Sequence, residues 1–149
     1  MATINLEVFF LAAQTGNIKL LQYCLDNGID IHSGNDFALR LAAENEQIET
    51  IRFLINKGAN VCALDDTLLR LASSKGKIET VQKVLSQGNC SQDAKLYSMY
   101  NAILHGHVDI IKLLLENGVS PTDNDGAVLR VVKMCRYDNV ITLFEDYLN

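Results

Sequence analysis

His105 and His107 are the closest pair of histidines in the chain, and Cys24, Cys62, Cys90 and Cys135 are the thiols that could complete a metal site with them. A zinc site needs four donors, or three and a water, converging on one point. The histidines supply two, and the cysteines stand far apart with no CxxC or zinc-ligand spacing. No metal is expected. His32 is a loop residue to which no partner is assigned. Covalent and acid–base chemistry has no better footing, because the chain holds no glycine-rich phosphate loop, no nucleophile elbow and no paired carboxylates inside an apolar stretch. The expectation is a protein with no catalytic residue and no cofactor. One chemistry-bearing pattern remains, the arginines Arg40, Arg70 and Arg130, which stand at multiples of thirty residues. Planar guanidinium donors in a row could hold anions; the reading favoured here is structural, each arginine serving loop carbonyls or an aspartate such as Asp36 or Asp66.

The spacing of thirty is not confined to the arginines. Gly28, Gly58, Gly88 and Gly118 share one column, Ala12, Ala42, Ala72 and Ala102 a second, and Ile18, Ile48, Ile78 and Val108 a third. A period of this size belongs to a stacked solenoid, whose units cannot bury an apolar face alone. The units run approximately 6–35, 36–65, 66–95, 96–125 and, as a C-terminal cap, 126–149, within a single domain 1–149.

Each unit reads as two short helices. In the second, Leu39, Leu41, Ala42 and Ala43 are followed after a polar break by Ile48, Ile51, Leu54 and Ile55, the three- and four-residue steps of helical faces. Asp36 and Asp66 are expected as N-caps of first helices, and Glu49, Glu79 and Asp109 put negative charge at the start of second helices, where the helix dipole favours it. The glycine column supplies the left-handed residue that ends each second helix. Paired alanines leave room for neighbouring backbones to approach closely.

At LRLAAENEQIETIRFLINKGANV, residues 39–61, the chain resembles an ankyrin repeat, whose general form is TPLHLAA, a Gly-His pair and a leucine-rich helix ending in GADV. Gly106-His107 keeps the Gly-His pair, which implies local hydrogen bonding for His107. The resemblance covers nearly the whole chain and implies an all-α ankyrin-repeat solenoid. It departs in two respects. The period is shorter than the family's roughly 33 residues, so tight turns are expected between units in place of projecting fingers. TPLH is replaced by FALR at 37–40, TLLR at 67–70 and AVLR at 127–130. This arginine variant is similar to the ankyrin proteins that giant DNA viruses of amoebae, mimivirus-like, encode. The resemblance implies a non-catalytic protein–protein interaction module that holds its partner on the concave surface. The alternative is a substrate-reading adaptor for a ubiquitin-ligase or host-targeting assembly; a chain ending in its capping helix leaves little room for a recruiting box.

Thirteen Lys+Arg against eighteen Asp+Glu leave a net charge of −5, with no basic cluster interleaved with aromatics, so nucleic acid is not an expected partner. No run approaches the roughly 18 apolar residues of a membrane span, and MATINLEVFFLAAQTGN lacks the form of a signal peptide. Cys62 and Cys90, in loops of successive units, should lie about 8–10 Å apart, beyond the ~7 Å Cα reach of a disulfide. Free thiols point to a cytoplasmic protein, the host cytoplasm if viral, expected to be a monomer.

The third unit is the least regular. Lys83 replaces the Tyr23, Phe53 and Leu113 of other copies and Ser91 replaces Ile31 or Val61, so weaker packing is expected around 80–95. In the last units the exposed end of the first helix turns apolar, from Gln14 and Glu44 to Leu104 and Met134. Tyr100, Leu104, His105 and Met134 are therefore the candidate partner-binding residues, with burial beneath the capping unit as the competing reading of Leu104 and Met134.

Overall fold

The computed structural model describes residues 3–64, 66–87 and 90–149, apart from the side chains of Cys62, Ala63 and Gln87. The described residues hold ten α-helices and no strand, and they fall into two compact units. In residues 3–64, α1 (Leu6–Thr15) pairs with α2 (Ile18–Asp26) and α3 (Ser33–Glu44) with α4 (Ile48–Asn56), and a 3-10 turn follows at Val61–Leu64. In residues 66–149 the pairs are α5 (Thr67–Ser74) with α6 (Ile78–Gln87), α7 (Gln92–His105) with α8 (Val108–Glu116), and α9 (Asp123–Met134) with α10 (Asp138–Leu148). First helix lies on first helix: α1 on α3 in one unit, α5 on α7 on α9 in the other.

The columns explain this stacking. Ala12 and Ala42, and likewise Ala72 and Ala102, are fully buried, and their small side chains let the first helices nest. Second helices face inward through Leu21, Cys24, Ile51 and Leu54 in the first unit and Val81, Val84, Ile111 and Leu114 in the second, all buried. Gly28, Gly58 and Gly118 follow the ends of α2, α4 and α8 with φ of 90°, 100° and 95°. Glu49, Glu79 and Asp109 sit in the first turns expected of them. In the last pair, Val140 and Phe144 are buried while Glu145, Asp146, Tyr147 and Leu148 are exposed.

Tight connections replace fingers, and their backbone is unusual. Gly34, Asn35 and Asp36 all take left-handed φ values of 65°, 58° and 55°, as do Asn124, Asp125 and Gly126 at 53°, 54° and 73°. Glycine, asparagine and aspartate are the residues that visit this region routinely; it costs other side chains bearing a Cβ roughly 1–2 kcal/mol each, which asparagine and aspartate ease by local hydrogen bonding. The arginine column secures both turns. Arg40 Nη2 donates to Gly34 O at 2.9 Å and Arg130 Nη1 to Asp125 O at 2.6 Å. Loop carbonyls are thus the partners of these two arginines. Arg70 differs: its guanidinium lies 5.8 Å from the centre of the Tyr97 ring.

The N-cap expectation for Asp36 and Asp66 needs correction. Neither carboxylate caps its helix; each reaches to the loop that follows the next second helix. Asp36, only 3% exposed, accepts from Asn60 N at 2.8 Å and from His32 Nδ1 at 3.0 Å. His32 is therefore partnered after all. Asp66 accepts from Ser91 Oγ at 2.5 Å and Ser91 N at 3.3 Å. Ser91 also caps α7 through Ala94 N at 3.1 Å, so this serine is a clamp, not a missing anchor. Lys83 is reassessed for a similar reason. Its column faces outward, with Tyr23 56% exposed and Phe53, Leu113 and Lys83 half-buried, so a lysine there forfeits little burial. The pair Cys62 and Cys90 is not fully described, because the Cys62 side chain lies outside the described residues.

A second inter-repeat device was not anticipated. Gly16, Gly76 and Gly106 have left-handed φ, and the side chain thirty-one residues later lies against each: Gln47 on Gly16, His107 on Gly76, Tyr137 on Gly106. Gln47 Nε2 donates to Gln14 O at 3.2 Å, and His107 Nε2 to Ser74 O at 3.1 Å, two residues before the glycine. His107 thus serves local hydrogen bonding. A methyl group on Gly106 would stand 2.9 Å from Tyr137 Cδ1. Gly106→Ala should therefore cost at least the roughly 1 kcal/mol of left-handed strain, plus displacement of the ring. Thermal melts of Gly106→Ala alone and with Tyr137→Ala separate the two, since only the ring contribution should vanish in the double variant.

Cys24 is completely buried, and burial raises its pKa. The thiolate is the reactive form. An alkylating reagent should modify Cys24 only after unfolding, while half-buried Cys135 reacts in the native protein; peptide mass mapping of pulse-labelled protein checks this. The sign of the linkage follows. A raised folded pKa contributes stability that is present below the unfolded thiol's pKa and is lost as pH rises beyond it.

Candidate functional site

On α7, Tyr97, Tyr100 and Leu104 are spaced i, i+3 and i+7, which places them along one stripe of a 3.6-residue helix. Tyr97 and Leu104 are each 55% exposed and Tyr100 is half-buried. The two tyrosine rings meet edge to face, with centroids 6.3 Å apart. Met134, at the end of α9, is 78% exposed. Leu104 and Met134 are thus surface residues and not core beneath the capping pair. Tyr100 is steadied from α9, where Asn124 Nδ2 donates to its hydroxyl at 3.3 Å.

His105 stands beside this stripe with half its chemistry committed. Its Nδ1 lies 2.8 Å from Asn101 O, so that nitrogen carries a proton, and its ring lies nearly parallel to His107, 7° between planes and 5.9 Å between centroids. Asn101 is itself tied back to Tyr97 O at 3.0 Å. The same habit of folding onto the carbonyl one turn back holds Thr15 and Asn45, which stand in the column of His105 in the first two repeats. Among the described residues, no three of histidine, cysteine, aspartate and glutamate converge as metal ligands would. No helix among them is long and apolar enough to cross a membrane.

Two residues outside the expected set belong to the stripe: Tyr97, and Arg70, which contacts its ring. The i, i+7 step from Tyr97 to Leu104 was available in the sequence. The position of Arg70 was not, because the other two described arginines of its column turn to their own loops.

Comparison with known proteins agrees with this architecture. A family model for ankyrin repeats in three copies matches residues 3–65, and one for the single ankyrin repeat matches residues 99–126, together more than half of the chain. No curated protein matches at a significant level. Ankyrin repeats are in general protein–protein interaction modules, typically without catalysis of their own. From its paired helices, nested alanines and glycine-ended second helices to these matches, the chain belongs to the ankyrin repeat family.

Proposed function

We propose that the protein is a non-catalytic interaction module that holds a partner protein on the first-helix face of residues 66–149, around Tyr100, Leu104, His105 and Met134. The observation that carries this reading is the exposure of Tyr97, Leu104 and Met134 on the first helices of successive pairs. Single exposed apolar residues are ordinary. Aromatic and methionine side chains gathered at helical spacing are instead what the centres of protein interfaces are enriched in. The unbroken thirty-residue register supports reading 1–149 as one domain, acting as a monomer. The arginine variant of the repeat supports a place among the ankyrin proteins of giant DNA viruses, and the buried free thiol of Cys24 suits the reducing host cytoplasm.

Tagged protein used as bait in native-source cytoplasm, compared with a Leu104→Ser/Met134→Ser variant, tests the proposal. The variant should lose the partner that the parent retains, at a stability within about 0.5 kcal/mol of the parent, as expected for surface positions. A large fall in melting temperature with capture retained per folded molecule would overturn it. Recovery of ubiquitin-ligase subunits together with a second, substrate-like protein would favour the adaptor reading.

A further inference from the structure

The exposed first-helix face of residues 66–149 carries a charge opposite to that of the chain. Fifteen positions make up this face, five on each first helix: residues 67, 70, 71, 74 and 75 and their counterparts thirty and sixty further on. Its charged residues are Arg70, Lys75 and Arg130, and the acids of these helices are confined to their N-terminal ends, Asp93 on α7 and Asp123 and Asp125 on α9. The second helices of the same unit reverse this balance. Along α6, α8 and α10, the carboxylates Glu79, Asp109, Glu116, Asp138, Glu145 and Asp146 outnumber Lys83 and Lys112. In a chain of net charge −5, the positions that bear the exposed Tyr97, Leu104 and Met134 thus hold three cations and no carboxylate. Arg70 and Arg130 flank Tyr100 in one column, and both are exposed.

We infer that the partner presents an acidic segment with an apolar anchor: aspartate or glutamate side chains facing Arg70 and Arg130, and a leucine or aromatic residue against Tyr97, Leu104 and Met134. This rests on the proposed docking face and names the chemistry of what docks there. Guanidinium groups pair with carboxylates through two parallel donors. The absence of acid around Tyr100, Leu104 and Met134 removes the repulsion that would otherwise select against such a segment, and the acidic second helices repel it, which fixes the side of approach.

A random peptide library displayed on phage and panned against the full chain is the test. Enriched sequences should be acidic around a leucine or aromatic position. The enriched peptide, synthesised with a fluorophore, should bind Arg70→Glu at least roughly tenfold more weakly, since like charges brought together at an interface cost several kcal/mol. Arg70→Gln should fall between Arg70→Glu and the parent. Arg70 is the residue to change because, among the described residues, its guanidinium meets the Tyr97 ring and no turn carbonyl, whereas Arg130 holds its own loop. Affinity should also fall as salt rises from 50 to 500 mM, as screening predicts. Enriched peptides that are neutral or basic but lose binding in Leu104→Ser/Met134→Ser would sink the acidic chemistry and leave the face standing. Acidic peptides that bind this double variant as well as the parent would sink the face itself. No enrichment over uncoated beads, or tighter binding of a 20-nucleotide RNA than of the enriched peptide, would also overturn the inference.

Discussion

Replacing Ser73 and Ser98 with alanine and Thr80 with valine should make the protein markedly more stable. These three hydroxyls are buried, with 0%, 0% and 1% of the residue exposed, and none has a hydrogen-bond partner among the described residues. A buried polar group left unpaired costs roughly 1–3 kcal/mol. The chain itself supplies the alternative at each position. Ser73 stands where other repeats place Ala13 and Ala43, Ser98 where Ala38 stands, and Thr80 where Ile110 and Val140 stand, all of them buried. The substitutes therefore fit spaces of known kind. A gain of roughly 1 kcal/mol each would raise the melting temperature by roughly 6–12 °C for the triple variant, at 2–4 °C per kcal/mol for a chain of this size. Ser73 and Ser98 lie on the packed helices α5 and α7, so their effects need not add, and single variants should be measured first by thermal denaturation. A loss of stability in the singles would show that the hydroxyls are satisfied in solution.

Asp36→Ala should have the largest destabilising effect of any polar substitution considered. The carboxylate is almost wholly enclosed and joins two repeats through Asn60 N and His32 Nδ1. Hydrogen bonds to a charged group are worth roughly 1.5–3 kcal/mol, and an alanine at φ 55° adds left-handed strain of roughly 1 kcal/mol. A loss of about 2–4 kcal/mol follows. Asp36→Asn keeps an acceptor oxygen and a residue type that tolerates this backbone, and should recover about half. Asp66→Ala is the comparison, because Asp66 makes the equivalent reach to Ser91 from a half-exposed position and should cost less. Urea midpoints for the three variants decide the matter. Equal losses for Asp36→Ala and Asp66→Ala would mean that burial of the carboxylate is not what gives the clamp its strength.

These two predictions mark where the sequence was legible and where it was not. Helix pairs, their glycine stops and the nested alanines were readable because each rests on a local periodicity repeated several times, so an error in one copy is corrected by the others. The exposure of Leu104 and Met134 was only half readable: the drift from polar to apolar is visible in their column, but whether a capping pair covers it is a matter of packing. Asp36 was misread because aspartate before a helix has one common local use, and its actual partner, Asn60 N, lies twenty-four residues away. Lys83 shares a column with Tyr23, Phe53 and Leu113, whose apolar letters suggest core, but that column lies at or near the surface. Lys83 therefore gives the expected weaker packing at 80–95 no support. The columns show Ser73 and Thr80 in the third unit and Ser98 in the fourth standing where other copies are apolar, but not that these hydroxyls lack a partner among the described residues.

The contact between Gln47, His107 or Tyr137 and the glycine of the preceding repeat bears on how such a chain can grow. The receiving surface is backbone: a Cα without a side chain and, for Gln47 and His107, a carbonyl two residues before it. A socket made of main chain does not require its guest to be matched by a compensating mutation, and an amide, an imidazole and a phenol all occupy it here. Duplication or exchange of a whole repeat would then carry the plug on the incoming copy and find a socket on any resident copy that has this glycine, as the first, third and fourth repeats do and the second, with Glu46, does not. Lengthening of the array by unequal recombination would be limited less by the joint between copies than by the turns that Arg40 and Arg130 must hold.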